Sequence, residues 1–293
     1  MNTYPPKPIP PKAWDTHHHI FEPDLFPLSQ NRHFTPSRAS LTDLQAFEHN
    51  LGIEHVCIAH GLSYGADCTL LLYYLERFDG RARGICVLDF ETVTDEILDL
   101  YHEAGVRSVR LNFFRHAAMH DVDVQVRLIK ATARRFVEWR RKPRNNWSIQ
   151  VQQPHPEFWP RLYEVIREYP VPVVVDHMAL LAGSSYRYGV DITSIQNDSY
   201  IRESERHELD MLCQALREGN LWIKLSASYR CSNLGPWYED LKWAVRRFLN
   251  ANPRRVLWGS GLPHTQRHED RVGRDRTRQE EFLEVDDRAW IES

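Results

Sequence analysis

At 293 residues with a formal net charge of −3, the chain is sized for one large domain or two small ones. It carries no basic surplus to suit nucleic acid or an acidic membrane. Cys57, Cys68, Cys86, Cys213 and Cys231 are scattered without a Cys-x-x-Cys pair, which excludes a stapled secreted scaffold and points to reduced thiols in the cytoplasm. Residues 1–12 are Pro-rich rather than basic-then-apolar. They read as an extended surface arm and not a signal peptide, and no apolar run reaches the ~20 residues of a membrane span.

In chain order, Trp14-Asp15-Thr16-His17-His18-His19-Ile20-Phe21 reads as a strand. Its alternation puts Asp15, His17 and His19 on one face. A loop over 22–40 precedes a helix over 41–50, with a Thr42-x-x-Gln45 capping pattern. Strands over 55–60, 84–89 and 106–112 then alternate with helices over 69–78, from Thr94, and over 122–141. A strand over 147–153, a helix over 156–168 and the Val-rich strand over 171–177 follow. After a long insertion (182–204) comes a helix ending near Gly219, then a strand over 221–227, a helix over 237–250 and a strand over 255–260.

Eight strands alternating with helices, with no composition break, predict a single (β/α)8 barrel over residues 13–293. No Gly-x-Gly-x-x-Gly follows a strand, so a dinucleotide fold lacks its signature. The tail from Thr265 is charged, and its closing helix reads as shortened, replaced or supplied by another subunit. A homodimer is the expected assembly on that ground.

Barrel sites collect at the C-terminal strand ends. Those ends carry His17, His19, His60, Asp89, Arg110, Asn112, Gln152, Asp176, His177, Ser226, Tyr229, Arg230, Ser260 and His264. Polar residues at one end of nearly every strand favour a catalytic barrel over a structural one. Arg107 and Arg110 lie three apart on a strand, so only one points inward, and Arg110 is the better carboxylate holder. Trp147, Tyr64, Tyr186, Tyr188 and Tyr229 fall in or near loops where they would line an aromatic pocket.

The ordered set Asp15-Thr16-His17-His18-His19-Ile20-Phe21, Gly105-Val106-Arg107 with Arg110 and Asn112, Asp176-His177-Met178, Lys224-Leu225-Ser226 and Trp258-Gly259-Ser260-Gly261-Leu262-Pro263-His264 resembles the amidohydrolase superfamily. The branch it resembles is that of 2-pyrone-4,6-dicarboxylate lactonases and related lactone hydrolases and decarboxylases. The resemblance implies a distorted barrel in which His17, His19 and His177 polarise a carbonyl or hold a metal. It also implies that Arg110 and Arg230 bind a substrate carboxylate, with Asn112, Gln152 and Tyr229 around them. The expected cofactor is none or one divalent ion, zinc.

Two departures stand out. The family's last-strand Asp, the base that activates water, is Gly261 here, and general-base catalysis contributes on the order of 10²–10⁴ in rate. His177, His264 or a nearby acid would have to replace it. The family's arginine after the sixth-strand His is also absent, with Met178 to Leu181 in its place, which implies a less acidic substrate. Three functions remain: a hydrolase of a lactone or similar small ring substrate, a repurposed isomerase, cyclase or decarboxylase, and a non-catalytic binding protein.

Overall fold

The computed structural model describes residues 9–113, 116–139, 146–153, 155–188, 203–267 and 269–293. Part of the Pro-rich arm, the end of the fourth helix and much of the predicted insertion lie outside these residues. The chain opens with β1 (Trp14–His18), β2 (Thr35–Pro36), α1 (Leu41–Leu51), β3 (His55–Ala59), α2 (Thr69–Arg77) and β4 (Ala82–Cys86). Next come α3 (Asp95–Glu103), β5 (Val106–Arg110), α4 (Val122–Trp139), β6 (Ser148–Val151), α5 (Trp159–Glu168) and β7 (Val173–Val175). It closes with α6 (Ser184–Tyr188), α7 (Glu203–Glu218), β8 (Leu221–Leu225), α8 (Lys242–Ala251), β9 (Val256–Trp258), β10 (Gln279–Glu280) and α9 (Asp287–Glu292).

β1 and β3 to β9 form one eight-stranded parallel sheet in sequence order. The seam between its first and last strands is held by Gly261 N–H donating to His17 O (2.7 Å), His19 N–H donating to Leu262 O (2.8 Å) and Thr16 Oγ1 donating to Trp258 O (2.6 Å). This is a (β/α)8 barrel. Its helices pack by the expected stripes: in α4, Val126, Ile129, Ala133 and Phe136 recur at helical spacing and are all buried.

Local chemistry corrects two predicted details. Ser40, not Thr42, caps α1: its side chain accepts from Asp43 N–H while Asp43 Oδ2 accepts from Ser40 N–H (2.8 Å). The strand predicted over 171–177 is shorter, because His177 to Leu180 all take positive φ (52–57°) and turn the chain out of the sheet. A left-handed conformation costs roughly 1–2 kcal/mol per non-glycine residue, and such strain gathers at functional sites.

The closing helix is short. α9 has six residues, capped by Asp286 accepting from Ala289 N–H (3.0 Å). Upstream of it, β10 pairs in parallel with β2, which ties the tail to the loop after β1. No helix among the described residues is long and apolar enough to cross a membrane.

Candidate active site

The cavity at the C-terminal strand ends is lined by His17, His19 and Phe21 after β1, His33 and Phe34 from the next loop, and Gly61 and Leu62 after β3. Arg110, Gln152, His177, Tyr229 and Arg230, Gly261 and Thr265, and Arg271 complete it. No acidic residue is among these lining residues. The structure therefore brings together His17, His19, His177, Arg110, Gln152, Tyr229 and Arg230 from the sequence-derived set.

It leaves two out. Asn112 is buried but does not line the cavity. His264 faces away from it: Nε2 lies 2.9 Å from Asp287 Oδ2, and the pair joins the last strand to α9. The predicted aromatic wall also changes. Trp147 precedes β6 and so sits at the opposite end of the barrel, packed against Phe136 and Trp139. Tyr64 lies behind Phe21, and Tyr186 lies under the Arg267 guanidinium. Phe21, Phe34 and Tyr229 are the aromatic residues that line the cavity.

Below the imidazoles lies a buried polar cluster. Lys224 Nζ donates to Gln150 Oε1 (2.7 Å), Gln150 Nε2 donates to Asp176 Oδ2 (3.0 Å), and Asp176 Oδ1 is 3.6 Å from Lys224 Nζ. Arg110 Nη2 donates to Gln152 Oε1 (2.8 Å), with its Nε 3.7 Å from Asp176 Oδ2. Asp176 is thus the shared counter-charge of two buried cations. Burial lowers the Lys224 pKa while Asp176 raises it. Asp15 stays out of the cavity: its carboxylate accepts from Ser260 N–H (2.9 Å), Ser260 Oγ (2.5 Å) and His17 N–H (3.0 Å), and so locks the barrel seam.

These contacts fix two tautomers. His19 Nδ1 is 2.7 Å from Ala59 O, a carbonyl that only accepts, so Nδ1 carries the proton and Nε2 keeps a lone pair. His17 Nδ1 faces the Lys224 ammonium at 3.4 Å and Asp176 Oδ1 at 3.2 Å. The ammonium only donates, and Asp176 Oδ1 is outside hydrogen-bond alignment. His17 Nδ1 is therefore the acceptor and its proton sits on Nε2, which is buried without a partner. The rings of His17 and His19 lie 5.1 Å apart, and those of His17 and His177 4.8 Å. His177 Nδ1 contacts Ser226 Oγ at 2.9 Å.

All three imidazoles are held neutral. Burial, then the Lys224 charge, pushes His17 well below its ordinary value. Burial, then Arg110, takes His19 down to about 3, and burial, then His17, lowers His177.

These residues fit a divalent metal poorly. His17, Asp176 and His177 bring ligand atoms within 4.8 Å of one another. Their one carboxylate is already shared by Lys224 and Arg110, and Gly261 adds no donor. A dication there would enter a buried site with cations on the same acid.

His33 and Arg271 were missed from sequence. Both come from irregular segments, and no spacing signal marks them. Arg271 stacks over Phe34 with its guanidinium carbon 3.9 Å from the ring centre, and its Nε contacts both Glu280 oxygens (2.9 and 3.0 Å).

A neutral-histidine, arginine-lined pocket at the carboxyl ends of a (β/α)8 barrel defines a class of small-molecule enzyme. The chain belongs to the amidohydrolase family, whose model matches residues 14–292. It is 28% identical over 266 residues to a 2-pyrone-4,6-dicarboxylate hydrolase of Comamonas testosteroni, covering 87% of this chain and 78% of that one. It is 28% identical over 258 residues to a 4-sulfomuconolactone hydrolase of Rhizobium radiobacter, covering 88% and 77%. A crystal structure of a probable 2-pyrone-4,6-dicarboxylic acid hydrolase of Acinetobacter baumannii with citric acid bound shares the fold. Its TM-score is 0.64 at 22% identity, covering 88% of this chain and 86% of that one.

Proposed function

We propose that the protein hydrolyses a lactone or comparable cyclic ester bearing a carboxylate, without a metal, using His17 and His19 in opposite tautomers. The observation that carries this reading is the buried, unpartnered Nε2–H of His17, on a ring 5.1 Å from that of His19, whose Nε2 keeps a lone pair. An unpaired buried donor costs about 1–3 kcal/mol, and a substrate carbonyl oxygen satisfies it.

In the reaction, water adds to the ring carbonyl carbon and gives its proton to His19 Nε2. The oxyanion accepts from His17 Nε2–H, where one such donor contributes about 10²–10³ in rate. The ring C–O bond then breaks, and the leaving oxygen takes the proton back from His19. One water is consumed, one hydroxyl and one carboxylic acid form, and the acid ionises by releasing its proton to solvent. A base held at about 3 is weak, and general bases work best near ambient pH. A substrate carboxylate on Arg110 offsets the guanidinium that lowers His19, so binding strengthens the base.

The likeness to lactone hydrolases supports the ester class. Five free cysteines, four of them buried, accord with a reducing compartment such as the cytoplasm.

The test is turnover of 2-pyrone-4,6-dicarboxylate and 4-sulfomuconolactone in ¹⁸O-water by metal-free enzyme. One ¹⁸O in the new carboxylate is expected, with the activity lost in His19→Ala. Unlabelled, rearranged product would favour an isomerase. Activity that tracks added zinc would overturn the metal-free mechanism.

A further inference from the structure

Arg271 reaches the cavity from the segment after the last barrel strand, not from a strand end. Its side chain is 9% exposed, and both oxygens of Glu280 contact Nε. Phe34 stacks beneath the guanidinium. Nη2 is buried without a hydrogen-bond partner. The fork is thus oriented on one edge by Glu280 and left with an unused donor in a cavity it lines.

Its surroundings point to an anion. Arg230 lines the same cavity, with Nη2 donating to Thr265 O (3.0 Å) and Oγ1 (2.7 Å) and Nε unpartnered. His33 lies within the field of Arg271, Arg110 and Arg230, and burial with those three charges lowers it to about 3. Among the lining residues no carboxylate faces these groups. Phe21, Phe34 and Leu62 supply an apolar wall that suits a flat ring.

We propose that Arg271 is a specificity-determining residue whose Nη2 takes a second anionic group of the ligand, distinct from the carboxylate held by Arg110 and Arg230. Glu280 is its positioning residue, and the β2–β10 pair fixes that residue over the site. The assignment reverses the expectation of a less acidic substrate. The cation missing after the sixth-strand histidine is supplied by the tail.

This inference rests on the carboxylate-binding reading above, but its test involves no hydrolysis. Isophthalate and benzoate are flat six-membered rings with two and one carboxylates and no ester. Calorimetric titration of the intact protein should show isophthalate binding tighter than benzoate by about tenfold or more, the scale of one charge-assisted hydrogen bond. Arg271→Gln should erase that preference by weakening isophthalate far more than benzoate. Should Arg271→Gln fail to fold, Arg271→Lys keeps the charge without the fork and should cut the preference several-fold. Equal binding of the two probes by the wild type would overturn the inference. So would a preference that survives both substitutions, or an equal loss for both probes.

Discussion

A Cβ built on Gly261 would lie 3.1 Å from the Cβ of Ala227 and 3.4 Å from its backbone nitrogen. Gly261 also sits at φ +78°, where a side chain is strained whatever the space. The backbone conformation and Ala227 therefore suit a glycine at this position. Gly261→Asp, which would place at this strand end the acid that the sequence resemblance implies, should therefore not raise hydrolysis. Both Gly261→Asp and Gly261→Ala should lower stability, by about 1–2 kcal/mol for the left-handed conformation alone. Thermal unfolding and initial rates check this, and a faster Gly261→Asp enzyme would show that the site accepts a carboxylate here as its base.

Lys224 sets the proton of His17 and shares Asp176 with Arg110. Lys224→Met should destabilise the fold by about 3–5 kcal/mol, as expected when one partner leaves a buried ion cluster. It should also lower kcat by about 10²–10³ by letting the His17 proton move to Nδ1, toward Asp176. Denaturant unfolding and steady-state kinetics read the two effects separately. Full activity in a folded Lys224→Met protein would remove the ammonium from the mechanism.

His264 is predicted to be a structural residue. Its imidazole meets Asp287 at the first turn of α9 and stands edge-on to Tyr229 (5.8 Å). His264→Ala should lower the unfolding temperature, as should Asp287→Asn. Both should change kcat far less than His19→Ala does. A kcat loss in His264→Ala equal to that of His19→Ala would return it to the catalytic set.

Glu48 gives a pH signature outside the site. Burial first, then the charge of Asp15, raises its carboxyl from 4.5 to about 7. A raised folded value means the contribution to stability is complete below the unfolded value of 4.5 and is lost as pH rises through about 7. Glu48→Gln removes that loss. Its unfolding temperature should match the wild type at about pH 4.5 and exceed it by several degrees at about pH 8.5. A difference that does not vary with pH would contradict the assignment.

The alternation of strands and helices, the inward face of Arg110 and the convergence of three histidines were legible because each rests on local period or strand position. Trp147 was misplaced for the same kind of reason. A loop flank carries no label for which end of the barrel it occupies, and this one lies at the N-terminal end of β6. His264 follows the last strand as a site residue should, yet its positive φ of 64° and the acid on α9 turn it away. Arg271 and His33 were illegible because irregular chain carries them, and the pairing of Thr35–Pro36 with Gln279–Glu280 and the stacking of Arg271 on Phe34 bring those segments together. Tertiary contact, not pattern, made that half of the cavity.

The opposite tautomers of His17 and His19 are the centre of the mechanism, and long-range ¹⁵N–¹H spectra of histidine-labelled protein near neutral pH measure them directly. With His17→Gln and His19→Gln used for assignment, the proton should reside on Nε2 of His17 and on Nδ1 of His19. The same tautomer on both rings, or a positively charged imidazolium at either, would contradict the account.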